Sequence, residues 1–228
     1  MMRLMLGAYW DSRPAGLEKC IEDAEKFFSR LAEIDPLLAH WYERGRSHKD
    51  TLRRKVDTSD VQRLRSLLLK GRSRRDMGRE VIEDLGFRLG FWNGANEEGA
   101  EASVSIHCGC YNKRVGNSVV IDLPYKSEDM KWVASASSLL ALVAEIWRPN
   151  WAGIMSDKAM NERGFDGDCP FVDWMVYVPR SVKAVPLPSR IEVLQGLGSI
   201  IVVQPHPPAG DDAEELSRIR RVENVLAG

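Results

Sequence analysis

Apolar residues recur at helical spacing at Leu17, Cys20, Ile21, Ala24, Phe28 and Leu31, which predicts an amphipathic helix over roughly 16–33 with one buried stripe. Arg3 to Tyr9 precedes it as a short, β-compatible run. Asp35-Pro36 closes the helix, because the residue before a proline avoids the α region. A short apolar segment, Leu37 to Tyr42, follows and stops at Gly45. Ser59-Asp60-Val61-Gln62 has the form of a capping box with Ser59 as the cap. It opens a second helix that turns Val61, Leu64, Leu67 and Leu68 inward and stops at Gly71. Between these helices, residues 44–57 read as a polar, basic and mobile connection. Arg79 to Leu85 adds one or two helical turns before Gly86.

From Phe87 the period shortens. Phe91-Trp92-Asn93-Gly94 reads as an aromatic turn, and Ser103–Cys108 and Ser118–Leu123 as two strands joined by a loop containing Asn112, Gly116 and Asn117. Trp132 to Trp147 is apolar almost all round, relieved only by Ser135, Ser137 and Ser138, so a helix over about 131–147 must be buried. Val172–Val178, Ile191–Leu194 and Ile200–Val203 are further strands. Asp211-Asp212 caps a last helix carrying Leu216, Ile219, Val222 and Leu226 on one stripe. The predicted class is α+β: a largely antiparallel sheet with a buried helix and amphipathic helices packed on it. The expected organisation is one domain, helix-rich over 1–86 and strand-rich over 87–228.

With 228 residues and 44% of them hydrophobic, the chain can build its core without disulfides, and its four cysteines are too few for a disulfide framework. No apolar run reaches the roughly 20 residues of a membrane span. The short N-terminal run Met1–Ala8 lacks the length of a signal peptide, so the expected compartment is the cytoplasm. A net charge of −1 argues against a dedicated nucleic-acid binder, but the charge is uneven. Arg44 to Arg79 holds 13 Lys and Arg against four Asp, a net of +9, which leaves the other residues at −10. That asymmetry describes either a solvated basic face or a dipolar molecule whose acidic part meets a basic partner.

Candidate chemistry is sparse. His107-Cys108-Gly109-Cys110 places two thiols on one face of a strand and His107 on the other, with no second cysteine pair to complete a zinc site. Buried strand cysteines beside a glycine bulge are the expected reading. Asp166-Gly167-Asp168 lacks the further acids of a calcium loop and reads as a solvated turn. Gly45-Arg46-Ser47 and Gly71-Arg72-Ser73 lack the spacing of a phosphate loop. No catalytic constellation, cofactor motif or metal site is predicted. Tryptophan is a common interface anchor, yet Trp92, Trp147 and Trp151, read here in turns, are expected to serve the core edge.

Ile82-Glu83-Asp84-Leu85-Gly86-Phe87, then Trp92-Asn93-Gly94, the strand ending Cys108-Gly109, and Trp147-Arg148-Pro149-Asn150-Trp151 occur in an order that resembles bacterial polymorphic-toxin immunity proteins of family 52. Asp35-Pro36 with Trp41 and Gly45 fits the same pattern. The resemblance covers roughly 35–155; the segment after Asp157 does not match it. It implies a stoichiometric inhibitor, not an enzyme, of a cognate toxin delivered by type VI or contact-dependent secretion. The toxins of such partners look like restriction-endonuclease-like nucleases. A nuclease groove is basic, so the expected contacts are the acids Glu97, Glu98 and Glu101, with Asp166 and Asp168 second. A rival mechanism sets the basic 44–79 segment against the toxin's acidic metal site, or binds elsewhere. Two other classes compete: a nucleic-acid or nucleotide-binding module using Arg72, Arg74 and Arg75, and a hydrolase built on Cys108 or Cys110.

Overall fold

The computed structural model describes residues 3–125, 132–210 and 212–228, apart from the side chains of residues 132 and 133. In chain order the first elements are β1 (Leu4–Trp10), α1 (Leu17–Ile34), β2 (Trp41–Tyr42), α2 (His48–Thr51), β3 (Lys55–Val56) and α3 (Val61–Lys70). Then come β4 (Phe87–Trp92), β5 (Ser103–Cys108), β6 (Asn117–Leu123), α4 (Trp132–Trp147), β7 (Trp151–Ser156) and α5 (Asp157–Arg163). The chain ends with β8 (Met175–Val178), β9 (Arg190–Leu194), β10 (Gly198–Val202) and α6 (Ala213–Ala227). Every pairing registered between these strands is antiparallel, and the class is α+β as expected. The chain divides into two compact units: Trp10–Lys126, and Met1–Tyr9 with Ser127–Gly228.

The first unit carries the strand order β3-β2-β4-β5-β6. Strand β4 alternates strictly, Phe87, Leu89 and Phe91 inward and Arg88 and Gly90 outward, as a sheet with one covered face requires. Helix α1 covers that face with Cys20, Ile21, Ala24, Phe27, Phe28 and Leu31. Phe28 lies between Trp41 and Phe91, with ring centroids at 5.8 and 5.4 Å, and Trp41 donates its Nε1–H to the Leu38 carbonyl at 3.0 Å. Helix α3 packs beside α1 with Leu64, Leu67 and Leu68 buried.

The second unit carries β1-β7-β8-β10-β9. Its centre is covered on both faces. Val176, Val178 and Ile201 pack with Ile219 and Val222 of α6, while Met175, on the opposite face of β8, accepts a contact from Ser137 of α4 at 3.8 Å. A strand covered on both faces has no polar alternation. All six residues of β7 are buried, which is why that strand escaped the sequence pattern. The predicted buried helix is α4, where Ala136, Leu139, Leu140, Leu142, Val143, Ala144 and Trp147 are all buried.

Several local expectations change. Asp60, not Ser59, caps α3: its Oδ1 accepts from the N–H groups of Gln62 and Arg63, while Ser59 turns back to bind Asp57. Residues 44–57 are not a loose connection but hold α2 and β3. The helical turns placed at Arg79–Leu85 shrink to a 3₁₀ turn at Glu83–Leu85. Strand β8 starts at Met175, not Val172. Trp92 and Trp151 lie in strands, not turns. The last helix is capped by Asp212, and Asp211 lies outside the described residues.

Trp151 pairs with Tyr9 across the β1–β7 ladder, stacks on it at 4.9 Å and donates its Nε1–H to the Gly167 carbonyl at 2.9 Å. With 1% of its surface exposed, the ring is a core residue whose removal costs about 3–5 kcal/mol. Burial pushes the Tyr9 hydroxyl up to about 12.

Asp173, 1% exposed, accepts from the Ser156 N–H and hydroxyl and from Arg163, which also pairs with Glu223. Burial raises its pKa, outweighing the Ser156 and Arg163 contacts that lower it. The folded chain therefore holds this proton more tightly than the unfolded one. That stabilisation is present below the ordinary carboxyl value near about 4 and is lost as pH rises through the folded value. Asp173→Asn cannot titrate there, so wild type should lose stability relative to the variant as pH rises from about 4 toward 7. Urea denaturation at several pH values reads this, and a constant difference would refute it.

Candidate partner-binding surface

Asn93, immediately after β4, organises the loop that leads to β5. Its side chain is buried and makes four bonds. Nδ2 donates to the carbonyls of Leu37 at 3.1 Å and Ala100 at 2.8 Å. Oδ1 accepts from the N–H groups of Ala95 at 3.2 Å and Ala102 at 3.0 Å. Gly94 has φ +82°, and a Cβ there would sit 2.7 Å from the Tyr42 ring, so neither the backbone nor the space admits a side chain. The loop is thereby pinned at both ends, and it carries Glu97, Glu98 and Glu101 exposed.

Next to this loop stands Trp92, half-buried, paired across strands with Tyr42. The exposed His48 ring packs edge-on against it at 5.4 Å. His48 belongs to a hook, residues 44–54, held by its own side chains. Thr51 accepts from the Gly45 N–H at 2.8 Å and donates to the Ser47 carbonyl, and Asp50 accepts from the Arg46 N–H at 2.9 Å and pairs with Arg54. Leu37 and Leu52 are 38% and 42% exposed, and Leu52 lies against the start of the loop at Gly94. Of these, only Trp92 was a sequence candidate. The Asn-Gly pair after a strand was the one signal that this loop would be tightly built.

Asp166 and Asp168 are exposed in the second unit, in the loop after α5. Asp166 Oδ1 accepts from the Asp168 N–H at 3.0 Å, and Phe165 packs on Tyr9 and Trp151. The loop is anchored by aromatic rings while its acids face solvent. Trp147 and Trp151 are buried, and neither offers contact area.

Much of the basic run is engaged internally. Arg63 and Lys70 pair with Glu43, Arg65 with Glu18 and Arg72 with Glu83. Arg44, Arg46, Lys49 and Arg53 of the hook are exposed.

The cysteines correct one expectation. Gly109 takes φ +69° and β5 ends at Cys108, so Cys110 lies outside the strand and its alternation does not apply to the pair. Cys110 donates its Sγ–H to the Val115 carbonyl at 3.1 Å, while Cys108 meets Cys20, a partner too distant in sequence to be foreseen. The hydrogen bond to Cys20, with burial, pushes the Cys108 thiol well up, away from the thiolate that nucleophilic catalysis needs. His107 donates to the Leu85 carbonyl at 2.7 Å, and burial pushes its pKa down. Among the described residues no three His, Cys, Asp or Glu side chains are grouped to hold a metal ion.

Residues 4–227 match the family described as Immunity protein 52, well beyond the stretch recognised in the sequence. A solved structure, the Pseudomonas aeruginosa T6SS protein PA0821, aligns with 100% of this chain and 73% of its own at a TM-score of 0.54. Their sequences are 14% identical, so the likeness is one of fold. No curated protein matches the chain.

Two outcomes follow from this geometry. Asn93→Ala strands two carbonyls and two N–H groups and should cost about 2–4 kcal/mol. Urea unfolding should register that loss, together with faster proteolysis at residues 94–101. In native protein only the exposed Cys169 should react rapidly with a thiol reagent, and Cys20, Cys108 and Cys110 only on unfolding; fast labelling of a second thiol would contradict the burial described.

Proposed function

The chain belongs to the immunity protein 52 family, and from that premise we propose that it neutralises a cognate secreted antibacterial toxin by binding it stoichiometrically. The family match over residues 4–227 carries this reading. The fold shared with a T6SS protein supports a secretion-system setting, with type VI delivery as the specific form. An inhibitor of this kind needs a stable frame and a complementary surface, and it needs no catalytic group. The thiols are consistent with that, because Cys108 is shifted away from reactivity. Among the described residues no helix is long and apolar enough to cross a membrane.

The proposed toxin is a nuclease, and the proposed contact is the acidic loop bearing Glu97, Glu98 and Glu101, with Asp166 and Asp168 as a second acidic site. Carboxylates placed where phosphates would lie can occlude a basic groove. The nucleic-acid-binding alternative loses ground, since Arg63, Arg65, Lys70 and Arg72 already face carboxylates of this chain.

Co-expression with the toxin encoded beside this chain should rescue growth and yield a complex of defined stoichiometry. Retention of DNA in a salt-sensitive manner, with no toxin complex, would favour the alternative. With the triple variant Glu97→Lys, Glu98→Lys and Glu101→Lys, association should slow by about tenfold or more at low salt and lose much of its salt dependence. Unchanged association kinetics would remove the loop from the contact.

A further inference from the structure

The two charged segments that sequence reasoning set against each other lie at one corner of the first unit. Tyr42 ends β2 and pairs with Trp92, which ends β4. The acidic loop leaves from Trp92, and the basic hook leaves from Tyr42. They meet over a shared floor: the His48 ring is 5.4 Å from that of Trp92, and a Cβ at Gly94 would lie 3.3 Å from Leu52 Cδ2. Asn93 ties the loop to the Leu37 carbonyl, bringing a second exposed leucine to the same corner.

We propose that this corner is the docking surface for the toxin, with Trp92, His48, Leu52 and Leu37 as its apolar centre and opposite charges on its two flanks. Glu97, Glu98 and Glu101 form one flank, and Arg44, Arg46 and Arg53 the other. The inference rests on reading the chain as an immunity protein. It adds where the partner sits and what chemistry it presents: a side chain or shallow ridge that fits an aromatic and leucine floor, with a basic patch on one side and carboxylates on the other. An apolar centre within a polar rim is the usual anatomy of a protein interface, and tryptophan is among its commonest anchors. Both flanks are ordered before binding, one by the four bonds of Asn93 and the other by Ser47, Asp50 and Thr51, so little order has to be imposed on association. On this surface the basic-groove and acidic-site mechanisms are one mechanism, because each flank meets its own complement. Nucleic acid fits it poorly, since a phosphate backbone would be repelled by the acidic flank.

The test measures binding of the full chain to the purified toxin domain encoded beside it. Leu52→Ser, at a position already exposed, should keep the melting temperature and weaken affinity by about tenfold or more. Trp92→Ala should weaken it further, and its folding can be checked separately. Glu97→Lys with Glu98→Lys and Arg44→Glu with Arg46→Glu should each slow association, whereas Arg74→Glu with Arg75→Glu, elsewhere on the basic run, should not. If wild type binds and Leu52→Ser and both flank variants bind equally well, the surface is wrong and the immunity reading stands. If wild type does not bind the toxin, the immunity reading fails and the occupant with it. A doubled mass of the toxin-free chain, abolished by Leu52→Ser, would assign the corner to a second copy and overturn the proposal.

Discussion

Where a strand stops inside a dry interior, its backbone still presents N–H and C=O groups that must be satisfied. Among the described residues, Asn93, Asn117 and Asp173 are buried polar side chains that do that. Asn93 supplies two donors and two acceptor contacts at the end of β4. Asn117 makes three such bonds at the start of β6, accepting from the Cys110 N–H and donating to the carbonyls of Cys110 and Asp11. Asp173 receives the Ser156 N–H at the end of β7. Each holds a turn that apolar packing alone would leave undefined, and the candidate surface is one of those turns.

The frame beneath that surface is conventional. One unit covers a single sheet face with α1 and α3; the other sandwiches its central strands between α4 and α6. Rigidity follows from aromatic contacts at the strand ends, Phe28 with Trp41 and Phe91 in one unit and Tyr9 with Trp151 in the other. The tryptophans therefore divide by task. Trp41, Trp147 and Trp151 are buried and lock elements together, while Trp92 stays half-exposed beside charged loops. A partner can gain from Trp92 what the fold has not already used.

Charge follows a similar division. Counted along the chain, residues 44–79 form a basic block. In space the α3 part of that block is spent on Glu18 and Glu43, and the hook keeps its exposed arginines. A linear charge count cannot separate these cases, because the neutralising carboxylates come from elsewhere in the chain. The exposed arginines of the hook flank the proposed surface, where they can steer a partner.

Local periodicity was enough to place α1, α3, α4 and α6, the β5–β6 hairpin and the α+β class, because a helix or strand with one covered face writes its period into the sequence. The order of aromatic motifs was enough to suggest the family. The hidden elements are those whose pattern depends on distant partners. Strand β7 is buried on both faces and so has no alternation, and the hook at 44–54 owes its order to bonds among polar residues that read as solvated loop. The meeting of Cys20 with Cys108, of His48 with Trp92, and of Asn93 with Leu37 was likewise decided only by tertiary structure. Period and capping are properties of neighbours along the chain, whereas the proposed surface is made of residues that the fold brings together from the hook, β4 and the β4–β5 loop.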